Sequence, residues 1–262
     1  MALSNIATPK PLVQEKLTAV MPGTRTDLTG KAVRNVILLS IPDDEYELLR
    51  PNLELVSLPH HYVMHERGEK LDFGYFLNEG MASLVVRSKD ERSVEVGVVG
   101  KEGMLGTSLA VGMNRGPYQA IMQIPGSGLR IHASVLETIL PATPNLQQRL
   151  SRYILTQGLQ LAQVAACNRL HELEQRMSRW LLMCQDRVDS EILTLTHEFL
   201  AQMLGSGRPS VTLACGILER TGAIENLRGM IKVLNRKALE DAACECYDVI
   251  QHFNGGRCFD AA

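Results

Sequence analysis

Apolar positions between residues 36 and 132 come in short runs, at 53–58, 62–65, 74–77, 82–87, 94–99, 120–124 and 129–131. Turn signals separate them: Arg67-Gly68-Glu69, Asn78-Glu79-Gly80, Lys89-Asp90, Gly112-Met113-Asn114 and Pro125-Gly126. Many short strands at roughly even spacing predict an all-β barrel, roll or sandwich. A short helix from Pro42 to Arg50 is expected at its edge. Past a break at Pro141, Pro144 and Asn145 the period lengthens to that of a helix. Leu146, Leu150, Tyr153, Ile154, Leu161, Val164 and Ala165 make one stripe; Leu155, Leu159, Ala162 and Ala166 make a second. A helix with two apolar stripes has two surfaces to bury. One suits the β unit, the other a second copy of the helix in a two-fold dimer. Burial of both within one chain is the competing reading. The next helix is expected from Asn168 to Arg187, with Leu170, Leu173, Met177, Trp180, Leu181 and Cys184 inward and Glu172, Glu174, Arg176 and Arg179 on the solvated side. A polar connector from Asp186 to Glu191 follows.

From Leu195 to Thr221 the pattern predicts two short helices joined by a tight turn. Phe199, Leu200, Met203 and Leu204 share a face of the first, and Gly205-Ser206-Gly207 breaks it. Ser206 or Gly207 can cap the second, with Pro209 in its first turn, where a missing N–H costs nothing. Val211, Cys215 and Leu218 form its buried stripe. The opposite face holds Pro209, Thr212, Leu213, Gly216 and Arg220, with Arg208 at the exposed start. Gly222 stops this helix. Ala223-Ile224 and the run 230–234 then flank a polar turn, Glu225-Asn226-Leu227-Arg228-Gly229, which predicts a β-hairpin. Two helices, a glycine turn and a trailing hairpin match a winged helix-turn-helix. A helical hairpin inside a larger helical domain is the plainer alternative. Asn235 can cap a final helix that turns Leu239, Ala242, Ala243 and Cys246 inward.

Composition narrows the picture. With 262 residues, 45% hydrophobic and 21% charged, the chain suits one large or two medium globular domains. The net charge of −2 means that any basic face is local. Such a face exists in the pattern: Arg208, Arg220, Arg228, Lys232, Arg236 and Lys237 stand against Glu219 and Glu225, an excess that suits a phosphate backbone. No signal-peptide core opens the chain and no run reaches membrane-helix length, so a cytoplasmic protein without membrane contact is expected. The cysteines at 167, 184, 215, 244, 246 and 258 contain no CxxC pair and do not form a secreted disulfide framework. Cys244-x-Cys246 on one helix would point its thiols apart, so no metal site is expected. Cys258 is expected to be the exposed thiol.

The stretch LTHEFLAQMLGSGRPSVTLACGILERTGAIENLRG resembles the winged helix-turn-helix of the Crp/Fnr superfamily of bacterial transcription regulators. NRLHELEQRMSRWLLMCQDRV resembles the helix that precedes it there, and RKALEDAACECY resembles the tail of one branch. The likeness is strong over about 145–248 and weaker over 36–132. It implies an α+β architecture with an N-terminal double-stranded, jelly-roll-like β-roll, a long dimerisation helix and a C-terminal winged helix-turn-helix. It also implies double-stranded DNA, a homodimer partner and RNA polymerase as partners. In cyclic-nucleotide binders of the family a Gly-Glu pair holds the ribose, and an Arg some ten residues on holds the cyclic phosphate. Here Thr107 stands in the place of that Glu, and Tyr118-Gln119-Ala120-Ile121 offers no Arg; Arg115 is the nearest. A buried phosphate without a cation is very costly, so cyclic AMP is disfavoured. No Cys precedes Cys167, which disfavours the family's N-terminal iron–sulfur cluster. Haem, through His60, His61, Met64 or His65, is disfavoured against plain surface residues, so no cofactor is expected.

The expected organisation is a flexible tail over 1–34, with a helical turn near 13–20, then a β-roll sensor over 35–140. Dimerisation and connecting helices follow over 141–188, a winged helix-turn-helix over 189–253, and a frayed tail over 254–262. Arg208 is the expected base reader, since an arginine at a recognition-helix start reaches guanine O6 and N7 with two hydrogen bonds. Pro209, Ser210, Thr212 and Leu213 complete the reading face, and Arg228 and Lys232 in the wing are phosphate candidates. Two-fold symmetry implies a palindromic operator. A ligand-binding or protein-interaction module of the same fold that has lost DNA binding is the alternative. An enzyme is not expected. GxSxG, HExxH, P-loop and GxGxxG motifs in a supporting context are missing, and Glu66 and Glu69 suit solvated charges.

Overall fold

The computed structural model describes residues 25–89, 93–188 and 190–254. Expectations for the helical turn near 13–20, for Asp90, for Cys258 and for the tail beyond 254 lie outside these residues. Two short helices, α1 (Val36–Leu39) and α2 (Asp43–Leu49), precede six strands: β1 (Glu54–Leu58), β2 (Val63–His65), β3 (Phe73–Arg87), β4 (Ser93–Val99), β5 (Met104–Leu105) and β6 (Gln119–His132). They form one antiparallel sheet in the order β1-β6-β3-β4, with β2 also on β6 and β5 on β3. The architecture is the expected α+β one: a β-roll, a long helix and a C-terminal helix-turn-helix.

Two predicted turns are not turns. Asn78-Glu79-Gly80 lies inside β3 and Pro125-Gly126 inside β6, and the two strands remain paired through both, with register shifts between Leu77 and Ala82. The glycines are needed for this shared kink. Gly80 has φ 83, and a Cβ there would lie 2.5 Å from the Ile124 carbonyl oxygen. A Cβ on Gly126 would collide with the Glu79 backbone. These are β-bulges that fold a pair of long strands over to close the roll.

The tail expected over 1–34 is packed against the roll from residue 25 onward. Buried Arg25 donates to the Leu38 and Ile41 carbonyls and to Asp43, at 2.6 Å to the carboxylate. Asp27 accepts from the Thr29 and Lys31 backbone N–H groups. A helix absent from the strand pattern, α3 (Ala133–Ile139), follows β6, capped by the His132 ring on the Ser134 N–H.

The long helix α4 (Pro144–Leu170) begins with its proline in the first turn. Its free N–H groups meet a buried carboxylate: Glu45 of α2 accepts from the Asn145 and Leu146 backbones at 2.9 and 2.8 Å. That satisfies first-turn donors and places negative charge at the positive end of the helix. Leu146, Leu150 and Val164 are buried, whereas Leu155 is 56% exposed and Ala162 and Ala166 are exposed. The chain leaves the helix at His171 and Glu172, and α5 (Leu173–Val188) begins five residues later than the expected start at Asn168. Arg179, expected in solvent, is buried on α5.

The C-terminal unit comprises β7 (Ile192–Leu193), α6 (His197–Met203), α7 (Arg208–Arg220), β8 (Ile224–Leu227), β9 (Met230–Val233), α8 (Arg236–Ala242) and α9 (Cys246–Asn254). The single final helix expected after Asn235 is two helices, broken at residues 243–245. One apolar core joins α5, α6, α7 and the hairpin, through Met177, Trp180, Leu200, Val211, Cys215, Leu218 and Ile231. It runs on into Met81 and Val98 of the roll. Three polar contacts fasten the same junction. Trp180 Nε1 donates to Glu95 Oε1 at 2.6 Å, Arg187 Nε to Glu102 Oε1 at 2.8 Å, and Gln202 Nε2 to Ser93 Oγ at 2.6 Å.

Candidate nucleic-acid interface

The turn between α6 and α7 is built by backbone rules. Thr196 caps α6 by accepting from the Phe199 N–H. Gly205, at φ 57, donates to the Gln202 carbonyl, and Ser206 donates to that of Ala201. This left-handed exit pairs the last carbonyls of α6 and reverses the chain. The end of α7 repeats the device: Gly222, at φ 71, donates to Glu219 and Ala223 donates to Leu218. Gly207 is the N-cap of α7, and no side chain caps it, Ser206 included.

Val211, Ala214, Cys215 and Leu218 bury one face of α7. The other face is open. Arg208, Pro209, Ser210 and Thr212 are exposed, and Leu213 is 65% exposed. Among the described residues, Gly216 has no heavy atom within 4 Å of where a Cβ would sit, so none of them requires a glycine there.

The wing is tighter than predicted. β8 and β9 stay paired from Ile224↔Val233 to Leu227↔Met230, which leaves Arg228-Gly229 as the turn, with Gly229 at φ 74. An unpredicted third strand, β7, pairs Ile192 with Lys232. Arg228 is thus at the exposed tip. Lys232 sits half-buried on the central strand, across from Glu225.

His197 is the residue that sequence reasoning missed. Its Nδ1 lies 2.9 Å from Thr212 Oγ1 and its Nε2 lies 3.2 Å from Asn226 Oδ1. One ring therefore ties the first helix, the exposed face of the second and the wing. Thr212 Oγ1 also donates to the Arg208 carbonyl at 3.1 Å. Its hydroxyl is engaged within the protein, and its methyl is the part left to face outward. A histidine at the head of α6 carries no local signal for this, because its partners lie 15 and 29 residues away.

The basic excess is smaller than its count. Arg236 donates to Asp186, Glu240, Gln185 and the Tyr247 hydroxyl. Lys237 pairs with Asp241 at 2.6 Å. Both belong to α8 and its neighbours. Arg208, Arg220 and Arg228 are exposed and form no ion pair among the described residues.

In the roll, a cleft is lined by His65, Leu71, Leu84, Met104, Thr107 and Tyr118, with others. Among the described residues, no Arg or Lys lines it. Arg115 is turned away and donates to the Gly68 carbonyl at 2.6 Å. Thr107 Oγ1 reaches Gln157 Oε1 of α4 at 3.3 Å. His65 is buried beside the cleft, and burial lowers its pKa; His60 and His61 stack on the surface. Elsewhere Cys167, His171, Cys244 and Cys246 converge, each offering one ligand atom that a metal could use. The expectation against them placed Cys244 and Cys246 on one helix. Cys244 instead lies in the break before α9, so the two thiols are free to converge.

Residues 175–242 match the Crp-like helix-turn-helix domain. No curated protein matches the chain. Among solved structures, a CRP/FNR-family transcriptional regulator from Thermus thermophilus is 24% identical, with a TM-score of 0.60 over 72% of this chain and 98% of that one. FixK2 from Bradyrhizobium japonicum is 15% identical, with a TM-score of 0.63 over 73% and 98%. The c-di-GMP-responsive global regulator CLP from Xanthomonas campestris is 14% identical, with a TM-score of 0.62 over 74% and 100%. Residues 175–242 are thus a Crp-like helix-turn-helix domain, and the chain shares with these solved structures the fold of a β-roll and a long helix followed by that unit.

Proposed function

We propose that the protein is a sequence-specific transcription regulator that binds a palindromic operator as a homodimer in the bacterial cytoplasm. The observation that carries this is the leading end of α7. Arg208, Pro209, Ser210 and Leu213 are exposed on one face, beside a wing whose tip is Arg228. Arg208 reads a guanine edge in the major groove. The Ser210 hydroxyl and the free N–H groups of the first turn take phosphate. The Thr212 methyl and Leu213 meet thymine methyls, and Arg228 contacts the flanking backbone. Lys232 is the weaker phosphate candidate, since it is half-buried opposite Glu225.

The second stripe of α4 supports the dimer. Leu155, Ala162 and Ala166 are exposed in the single chain, and small residues allow two helices to approach closely along such a seam. RNA polymerase is the further partner. Cyclic AMP is not the effector in this reading, because a cleft without a cation leaves a cyclic phosphate uncompensated. Selection of sites from a random duplex pool tests the proposal: a palindrome with half-sites about one helical turn apart is expected. No binding even at low salt would favour the module that has kept the fold and lost DNA.

A further inference from the structure

We propose that Cys167, His171, Cys244 and Cys246 form a closed zinc site that staples the end of α4 to the C-terminal helices. Cys167 and His171 are four residues apart at the end of α4, so they share one face. Cys244 sits in the break after α8, and Cys246 opens α9. Cys167 Sγ lies 3.5 Å from Cys244 Sγ, and Cys246 Sγ lies 3.5 Å from His171 Nδ1. All four ligand atoms fall within 4.8 Å of one another. A tetrahedral zinc ion with ordinary bond lengths needs roughly 3.8 Å between sulfurs and roughly 3.6 Å between sulfur and nitrogen. The two close pairs already sit near those edges.

The surroundings fit the same ion. The three cysteines are buried against one another as a cluster apart from the main cores. His171 presents its other nitrogen, Nε2, to Glu245 Oε1 at 3.1 Å, the carboxylate partner that orients a metal-bound imidazole. Gln163 Nε2 donates to Cys246 Sγ at 3.1 Å. Three thiolates and one divalent ion leave a net negative charge. Arg179, 2% exposed, is the nearby buried cation, and its Nε has no partner among the described residues. Three sulfurs and one nitrogen with no vacant position select a borderline-soft, four-coordinate ion over magnesium or calcium. Binding releases the thiol protons to solvent.

The place of the site gives it a role. His171 is where α4 stops and the chain turns into α5. The ion would bind the two sides of that joint, residues 77 apart in sequence, and set the angle between the long helix and the helix-turn-helix unit. The site stands whether or not the protein binds DNA.

The full chain, purified under reducing conditions without chelator, is assayed for metal content and titrated with cobalt alone. The expected result is about one zinc ion per chain and, for cobalt, the intense visible bands and thiolate charge transfer of tetrahedral S₃N ligation. Cys246→Ser should abolish both. Glu245→Gln replaces an exposed side chain, so its fold is kept; it should weaken cobalt binding about tenfold. The wild-type cobalt titration decides the matter even if Cys246→Ser does not fold. Zinc below about 0.1 per chain after repletion, with no cobalt spectrum, overturns the proposal. So does peptide mapping of a Cys167–Cys244 disulfide in metal-free protein that cobalt fails to bind after reduction, which would make the pair a redox couple.

Discussion

Glu95 links stability to pH at the junction between the roll and the helix-turn-helix unit. Its carboxylate is buried on β4 and accepts from Trp180 Nε1 at 2.6 Å and from the Ser83 hydroxyl. Burial pushes its pKa from 4.5 up to about 7, against the opposing pull of those two donors and of Arg179 and Arg187. The sign follows from proton binding. The folded state holds the proton more tightly, so this contribution is fully present below pH 4.5 and is lost as pH rises through about 7. At about 1.4 kcal/mol for each unit, the span amounts to about 3 kcal/mol. Glu95→Gln keeps the shape. Its carbonyl accepts from Trp180, and its amide donates to Ser83, as the protonated acid does. Thermal unfolding of wild type and variant between pH 5 and 8 reads the difference. Near pH 5 the two should melt within a degree or two. By pH 8 the variant should be the more stable by up to about 3 kcal/mol, roughly 6–12 °C for a chain of this size. A constant offset across the whole range would instead leave Glu95 as an ordinary paired carboxylate.

Two further substitutions probe the candidate interface. His197→Ala removes the ring that ties Thr212 to Asn226; it should weaken operator binding about fivefold, equivalent to about 1 kcal/mol, by fluorescence anisotropy. Unchanged affinity would mean that the bridge does not position the reading face. Gly216→Ala meets no neighbour among the described residues, so it should stabilise α7 by roughly 0.5–1 kcal/mol in a thermal melt while reducing operator affinity. Improved or equal affinity would show that DNA does not approach closely at Gly216.

What the sequence made legible is local. The buried stripe of α7, the glycine exits at Gly205 and Gly222 and the Asn235 cap depend on neighbours within a turn or two, and each stands where the pattern places it. The bulges did not read correctly. Asn78-Glu79-Gly80 and Pro125-Gly126 carry the same residues as true turns, and only the matching kink in the partner strand distinguishes the two cases. Burial of charge was also hidden. Arg179 lies on a helix face that reads as solvated, yet it is buried beside Cys167 of α4, and Glu95 lies on a strand whose cover is Trp180, 85 residues away. The cysteine cluster failed for a related reason. One missing helical turn, at residues 243–245, separates thiols that point apart from thiols that converge. Arg228 and Lys232 were equivalent as basic residues of a hairpin; the third strand, β7, makes one a tip and the other an interior position.

The proposed function stands on base reading by the start of α7. Selection of binding sites with wild type and with Arg208→Ala, each at two salt concentrations, tests it most directly. A palindrome is expected for the wild type and, for the variant, one symmetric base pair relaxed in each half-site, at a cost on the order of 1–3 kcal/mol. Uniform weakening on every sequence, with a shallower salt dependence, would contradict it and make Arg208 a phosphate contact.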